Sequence, residues 1–289
     1  MPIPHTNCLI RQSDIYPDRV EVAFEYSFPR EVDWQHFYDA ATGLEGYQLS
    51  HGRKIQIERV LPDVGIVATF KMVRRGPNGP LYVTVELNAL SVLHDQRSDY
   101  GNERGANHET NWLHPEAIRP HVVAISGMLN HLVTAAEGVV QTIGEELADA
   151  LWFPPTLVRL LSTNIKEIEL AVDLATESPN HMVQAVYAQR IASICRKEAT
   201  RRYDQPAFYV SGPDGDALCT HGYAASGVVL KAYTKTNARV RLEAVLSRKC
   251  LSTLGLSRTV QMGDIWPTVL PIIDCVWPHF KRELSPRRT

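Results

Sequence analysis

Two stretches near the C-terminal end place groups capable of phosphoryl chemistry at every second position. In "GVVLKAYTK", Lys231, Tyr233 and Lys235 alternate with Leu230, Ala232 and Thr234, and in "RVRLEAVL", Arg239, Arg241 and Glu243 alternate with Val240, Leu242 and Ala244. A β-strand sends successive side chains to opposite faces, so each stretch has one apolar face and one charged face. The same parity recurs upstream. "IKEIELAVDL" sets Glu167, Glu169 and Asp173 against Ile168, Leu170, Val172 and Leu174, and "LYVTVEL" sets Tyr82, Thr84 and Glu86 against Val83, Val85 and Leu87. One such strand describes an ordinary solvated sheet face with cross-strand ion pairs. Four strands, with acids concentrated on three and bases on the other, describe a site if one sheet gathers them.

Carboxylates brought together repel, and a group such as Glu86, Glu169, Asp173 and Glu243 is comfortable at neutral pH only beside a cation. Oxygen-only ligation suits Mg²⁺ or Mn²⁺, which keep several waters and share phosphate oxygens with a substrate. A phenol beside such a centre is a poor nucleophile at its ordinary pKa of about 10 until a base, a metal or nearby cations favour the phenolate. Lys235, two residues from Tyr233 on the same face, supplies positive charge for a phosphorus transition state. Tyrosine, acids and bases on one surface therefore point to phosphoryl transfer.

The elements that must position these residues are short strands and a few helices. "RVEVAFEYSF", "RKIQIERV", "GIVATFKMV" and "PLYVTVELNAL" are rich in Val, Ile, Tyr and Phe and are bounded by Pro, Gly and Asp, which predicts strands. "WQHFYDAATGL" predicts a helix, the polar residues 95 to 114 a long mobile loop, and the run beginning "PEAIRPHVVAISGMLNHLV" a long helix. "SPNHMVQAVYAQRIASICRKEATRRY" predicts an amphipathic helix capped by Ser178 with Pro179 at its first position, and "QMGDIWPTVLPIIDCVWPHFKREL" a Pro-broken helical region. The order predicts an α+β fold: antiparallel sheets with helices on one face, in two related sheet-and-helix halves, residues 1 to 152 and 153 to 289, within one domain.

Composition sets the outer limits. The chain has 289 residues, 44% hydrophobic and 21% charged, as a globular core requires. The start "MPIPHTNCLIRQSDIYPDRV" has no basic segment followed by an apolar run, and no stretch approaches the roughly 18 apolar residues of a membrane helix, so a cytoplasmic location is expected. Five cysteines without a C-x-x-C pair suggest neither a zinc knuckle nor a disulfide framework. From residue 190 onward there are 16 Lys and Arg against 8 Asp and Glu, whereas the preceding chain has 14 against 24. That asymmetry leaves the C-terminal part suited to a polyanion.

The motifs resemble those of the replication endonucleases of filamentous phages. "VVLKAYTK" followed by "RVRLEAVLSRKCLSTLGL" is similar to that family's Tyr-x-Lys strand, Arg-x-Glu strand and helix with a late Gly-Leu. "LYVTVELNALSVL" and "IKEIELAVDLATESPNHMVQAVYAQRI" are similar to its upstream glutamate strand and acidic strand leading into a Pro-Asn helix, and Glu169 with Asp173 also resembles the acid pair of staphylococcal-type rolling-circle initiators. The resemblance implies a nicking nucleophile at Tyr233 with Lys235 as helper, and metal ligands at Glu86, Glu169, Glu243 and Asp173. It further implies DNA contacts at Lys231, Arg239, Arg241, Arg201 and Arg202, and nicking of one strand at a single-stranded or cruciform origin through a 5′-phosphotyrosyl link, without ATP. Host helicase and polymerase would be partners in a bacterial cytoplasm. The chain departs from the pattern with Glu at 169 where the family has Asp, with the tight "TNA" hairpin in place of an insertion, and without a His-hydrophobic-His pair. Tyr203, Tyr209 and Tyr223 are rival nucleophiles, and Trp112 a stacking residue in the polar loop. A noncatalytic DNA-binding relative and a water-using metal phosphodiesterase are the alternative functions.

Overall fold

In the computed structural model the described residues are 11–44, 47–50, 56–61, 66–74, 76, 79–88, 115–194, 207–211, 217–223, 227–236, 239–261 and 264–284. The first run of elements is β1 (Tyr16–Ser27), α1 (Trp34–Thr42), β2 (Tyr47–Ser50), β3 (Gln56–Leu61), β4 (Ile66–Arg74), β5 (Leu81–Asn88) and α2 (Pro115–Leu151). The second is β6 (Arg159–Ala175), α3 (Pro179–Ile194), β7 (Ala207–Ser211), β8 (Ala217–Tyr223), β9 (Val229–Thr236), β10 (Arg239–Ser247), α4 (Arg248–Thr253) and α5 (Trp266–Leu284). All ten strands form one sheet in the order β2-β3-β4-β5-β1-β6-β10-β9-β8-β7, and every pairing is antiparallel. Read outward from the central β1–β6 pair, the two halves have the same order: first strand, fifth, fourth, third, second. The expected pair of related sheet-and-helix halves is thus the topology of one continuous sheet.

One face of the sheet is apolar and carries the helices. Val20, Val22 and Phe24 of β1, Ile168, Leu170 and Val172 of β6, and Val240, Leu242 and Ala244 of β10 are all fully buried, together with Leu132, Ala136 and Val140 of α2 and Val183 and Val186 of α3. Alternation on these strands explains why: each second residue joins the core, at about 1.5–3 kcal/mol for a buried aliphatic or aromatic side chain. Asp33 caps α1 by accepting from His36 N at 2.9 Å, which directs Phe37 against Phe28 and Phe70. On the far side, Tyr187 of α3 packs on Phe208 of β7 with ring centroids 5.0 Å apart.

The Pro-broken region expected at 261 to 284 is instead a continuous helix, α5, with Pro271 and Pro278 inside it. The two prolines lie seven residues apart on the exposed side, so the unmade backbone hydrogen bonds face solvent. Val269, Ile272, Ile273, Val276 and Phe280 bury the opposite side, and that burial offsets the proline cost of about 3 kcal/mol each. The loop expected at 95 to 114, with Trp112, lies outside the described residues, as do Arg201, Arg202 and Tyr203. Cys219, Cys250 and Cys275 are free thiols, as expected of a chain without a disulfide framework.

α3 and α5 are joined by a buried ion pair. Arg190 donates through Nε and Nη2 to Glu283 at 2.6 and 2.7 Å, and through Nη1 to the Thr220 carbonyl of β8 at 2.8 Å. The Arg190 side chain lies over Gly222, where a Cβ would stand 3.0 Å from Arg190 Cδ, so a larger residue there would press on the ion pair. Removing one partner of such a pair leaves an uncompensated charge, which typically costs 3–5 kcal/mol. Glu283→Ala is therefore expected to lower unfolding stability by about 3 kcal/mol, read as a reduced urea midpoint, while Glu283→Asp recovers part of the loss.

Candidate active site

The other face of the sheet carries the charged parity of all four strands singled out above. At its centre is Arg241 of β10, only 2% exposed. Its Nε and Nη2 donate to the two Asp173 oxygens of β6 at 2.8 and 3.0 Å, and its Nη1 to Asp18 of β1 at 2.9 Å. Tyr16 Oη donates to Asp173 Oδ2 at 2.6 Å, with its ring 5.7 Å from the guanidinium carbon. Two carboxylates forming three hydrogen bonds hold Arg241 charged; burial alone would lower its pKa, but Asp18 and Asp173 raise it.

Beside this knot is the tyrosine. Tyr233 Oη donates to Glu243 Oε1, and Lys231 Nζ lies 3.3 Å from Glu243 Oε2 and 3.5 Å from Glu169 Oε1. Burial, then the charge of Asp18, pushes the Glu243 carboxyl above the usual range, against the pull of Tyr233, Lys231 and Arg241. Burial and Glu243 together hold the Tyr233 proton on. Lys235, 5.9 Å over the Tyr233 ring, is pushed the other way: burial and the neighbouring Arg241 lower its pKa and make it a stronger acid. The result is a phenol already aimed at a carboxylate whose affinity for a proton is raised, with two ammonium groups and a guanidinium around them.

Register explains the convergence. Asp173, Arg241, Tyr233, Cys219 and Tyr209 form one cross-strand row through β6, β10, β9, β8 and β7, and Ala171, Glu243, Lys231, His221 and Ala207 form the next. Of the rival tyrosines, Tyr209 ends the first row on the edge strand, 51% exposed and 5.1 Å from the His221 ring, and Tyr223 closes β8. His131 is exposed on α2.

Not every expected member joins. Glu86 sits on β5 opposite Ala23, and Glu243 on β10 opposite Ala171, which separates them by three strand spacings and about six residues, roughly 25 Å. Glu86 is instead paired with Lys71 and Lys166. Arg239 lies at the start of β10, in register with Thr236 and Ala175, away from the Tyr233–Glu243 contact. Tyr16, Asp18 and Arg19 were missed by parity reasoning; "YPDR" breaks alternation at a bulge between Pro17 and Arg19, and the interrupting proline and adjacent opposite charges were the available signal.

The four expected carboxylates therefore do not form a single metal cage, and among the described residues no three His, Cys, Asp or Glu side chains are placed to share an ion. Asp173 is engaged by Arg241 and Tyr16, and Glu86 is remote. Glu169 and Glu243 are different: they share one ammonium, that of Lys231, on the sheet face away from the helices. Glu169 is also 3.9 Å from Arg19 Nη1, so both carboxylates are paired with cations of the protein itself.

No family model matches the chain, and no curated protein sequence does. Among solved structures it is similar to the di-domain ARO/CYC StfQ from the steffimycin biosynthetic pathway, at 10% identity over 91% of this chain and 93% of that one, with a TM-score of 0.21. It is also similar to the di-domain ARO/CYC BexL from the BE-7585A biosynthetic pathway, at 9% identity over 94% and 99% of the two chains, with a TM-score of 0.18. Scores this low carry no argument about fold or activity. Among the described residues no helix is long and apolar enough to cross a membrane.

Glu86, outside the Tyr233 cluster, gives a pH test of the ion pairs in the N-terminal half of the sheet. Burial would raise its pKa, but hydrogen bonds and charge from Lys166 and Lys71 bring it below the ordinary carboxyl value. A depressed folded pKa means stability that is present above the unfolded value, about 4.3, and lost as pH falls through the folded one. Unfolding stability followed by denaturant titration is expected to fall on acidification below that value, and Glu86→Gln to flatten this segment of the profile.

Proposed function

We propose that the protein is a DNA nicking and joining enzyme that acts through a phosphotyrosine, in the manner of a rolling-circle replication initiator. The observation that supports this most strongly is the Tyr233–Glu243 hydrogen bond, flanked by Lys231, Lys235 and Arg241 on the face of the sheet opposite the helices. A solvated sheet face needs none of these groups half-buried together. A phosphodiester bound over them would meet the nucleophile, a proton acceptor and compensating cations at once.

In this reading Tyr233 Oη attacks phosphorus and its proton passes to Glu243 Oε1, the oxygen it already contacts. The Tyr233 O–P bond forms as the P–O3′ bond breaks, and the departing 3′ oxygen takes a proton from Lys235, whose acidity burial and Arg241 enhance. The products are a 5′-phosphotyrosyl link and a free 3′-OH, and the reverse sequence rejoins the strand; no ATP is consumed. Glu169 and Glu243 Oε2 would hold a Mg²⁺ or Mn²⁺ ion in place of the Lys231 ammonium, and such an ion polarises phosphoryl oxygens when bound. Arg241 is a positioning residue, because both its faces are taken by Asp173 and Asp18. The DNA would be a single-stranded or cruciform origin, with host helicase and polymerase acting on the nicked product in a bacterial cytoplasm.

Incubation with supercoiled origin DNA and Mn²⁺ tests the reading. Relaxed circles carrying covalently attached protein are expected. Tyr233→Phe should abolish attachment while preserving binding, and Glu243→Gln should slow attachment about 10²- to 10⁴-fold. Binding without cleavage would identify a noncatalytic DNA-binding protein, and cleavage without attachment a water-using phosphodiesterase. Chelation of the divalent ion should suppress attachment, and Glu169→Gln should raise the Mn²⁺ concentration needed for it.

A further inference from the structure

The two halves of the sheet correspond residue by residue across a local two-fold between β1 and β6. The segment "VEVAFE" of β1 and "IELAVD" of β6 share a pattern at a constant offset, so that Glu21, Ala23 and Glu25 correspond to Glu169, Ala171 and Asp173. Register bears this out. Arg19 pairs with Glu169 as Glu21 pairs with Glu167, and Tyr16 pairs with Ala171 as Ala23 pairs with Asn164. Two of the three bulges correspond: Asp18 is the extra residue of β1 and Lys166 an extra residue of β6 at the same offset, whereas the third, between Glu25 and Tyr26, lies beyond the equivalent stretch. On the outer strands Glu86 faces Ala23 as Glu243 faces Ala171, and Lys71 faces Thr84 as Tyr233 faces Arg241.

The N-terminal half thus carries a topological counterpart of the candidate active site with most of its chemistry altered: Thr84 stands for Arg241, Thr69 for Lys231 and Lys166 for Asp18. Lys71 stands where Tyr233 would be and contacts Glu86 as Tyr233 contacts Glu243. Each central strand sends its bulge residue into the opposite half: Asp18 reaches Arg241, and Lys166 reaches Glu86. One centre therefore receives an acid across the two-fold and the other a base. Lys71 and Lys166 share the Glu86 carboxylate, and Glu21, itself paired with Arg19, also acts on Lys166; three cations against two carboxylates leave one positive charge over, and each ammonium retains N–H donors beyond these contacts. Their side chains are 30% and 34% exposed, against 16% for Glu86.

We infer that this counterpart is a noncatalytic phosphate-binding subsite for single-stranded DNA, in which Lys71 and Lys166 grip a backbone phosphate where the other half would cleave one. The inference rests on the proposed reading of the Tyr233 centre as a phosphodiester site. An ammonium in the nucleophile's place offers charge-assisted hydrogen bonds to phosphate and no group able to displace the 3′ oxygen. The two centres lie roughly 25 Å apart, so one strand reaches both only if it is longer than about four nucleotides when extended, or about seven at B-form spacing.

The test compares oligothymidylates of about 3 and about 24 nucleotides by fluorescence anisotropy at several salt concentrations, lengths that fall on either side of that span. For the double variant Lys71→Gln/Lys166→Gln, affinity for the longer strand should fall about tenfold and its salt slope should shrink by roughly 1.4, two phosphate contacts at about 0.7 each. Affinity for the shorter strand should not change. The Arg double variant should restore long-strand binding, and Glu86→Gln should tighten it, an outcome opposite to that of merely disturbing the structure. Unchanged affinity for the longer strand, equal losses for both lengths, or weakening by Glu86→Gln would overturn the subsite. Length-dependent, lysine-dependent binding without any covalent attachment would overturn the Tyr233 chemistry and leave the subsite standing; attachment with length-independent binding would do the reverse.

Discussion

The architecture depends on how Arg241 is compensated. A guanidinium 2% exposed on the sheet face opposite the described helices is tolerable only because Asp173 takes it bidentately from β6 and Asp18 takes its third nitrogen from β1. These contacts tie together the strands at which the two halves meet. They also fix the geometry of β10 where Glu243 follows two residues later, and so the position of the phenol on β9. Replacing the charge would leave two carboxylates facing one another with no cation between them.

That constraint accounts for the one-sidedness of the molecule. Helices α1, α2, α3 and α5 all pack on the apolar face, while the other face satisfies its charges among its own side chains. Salt-bridged acids and bases arranged this way form a surface that is polar without being strongly of one sign.

Much of this was legible in the sequence because parity is a local property. The alternation of "RVRLEAVL" and "GVVLKAYTK" placed Tyr233, Arg241 and Glu243 on one face and Val240, Leu242 and Ala232 in the core, and the structure agrees. What parity cannot supply is position along neighbouring strands. Glu86 has the right face but belongs to the other half, far from Glu243. Bulges also defeat alternation: Lys166 shares the numerical parity of buried Ile168, yet its ammonium reaches Glu86 on the opposite face because one residue is extra. Pro271 and Pro278 suggested a broken helix, and only their common exposed side, set by tertiary packing, shows why the helix continues.

Covalent chemistry at Tyr233 can be read directly from the protein. Trypsin cuts after Lys231 and Lys235, so attachment at Tyr233 would place the nucleotide on the peptide spanning residues 232 to 235. Mass spectrometry of protein digested after incubation with origin DNA and Mn²⁺ is expected to find the phosphonucleotide on that peptide. A nucleotide mapped to Tyr16, Tyr209 or any other tyrosine, or none on any peptide while the DNA is nicked, would contradict it.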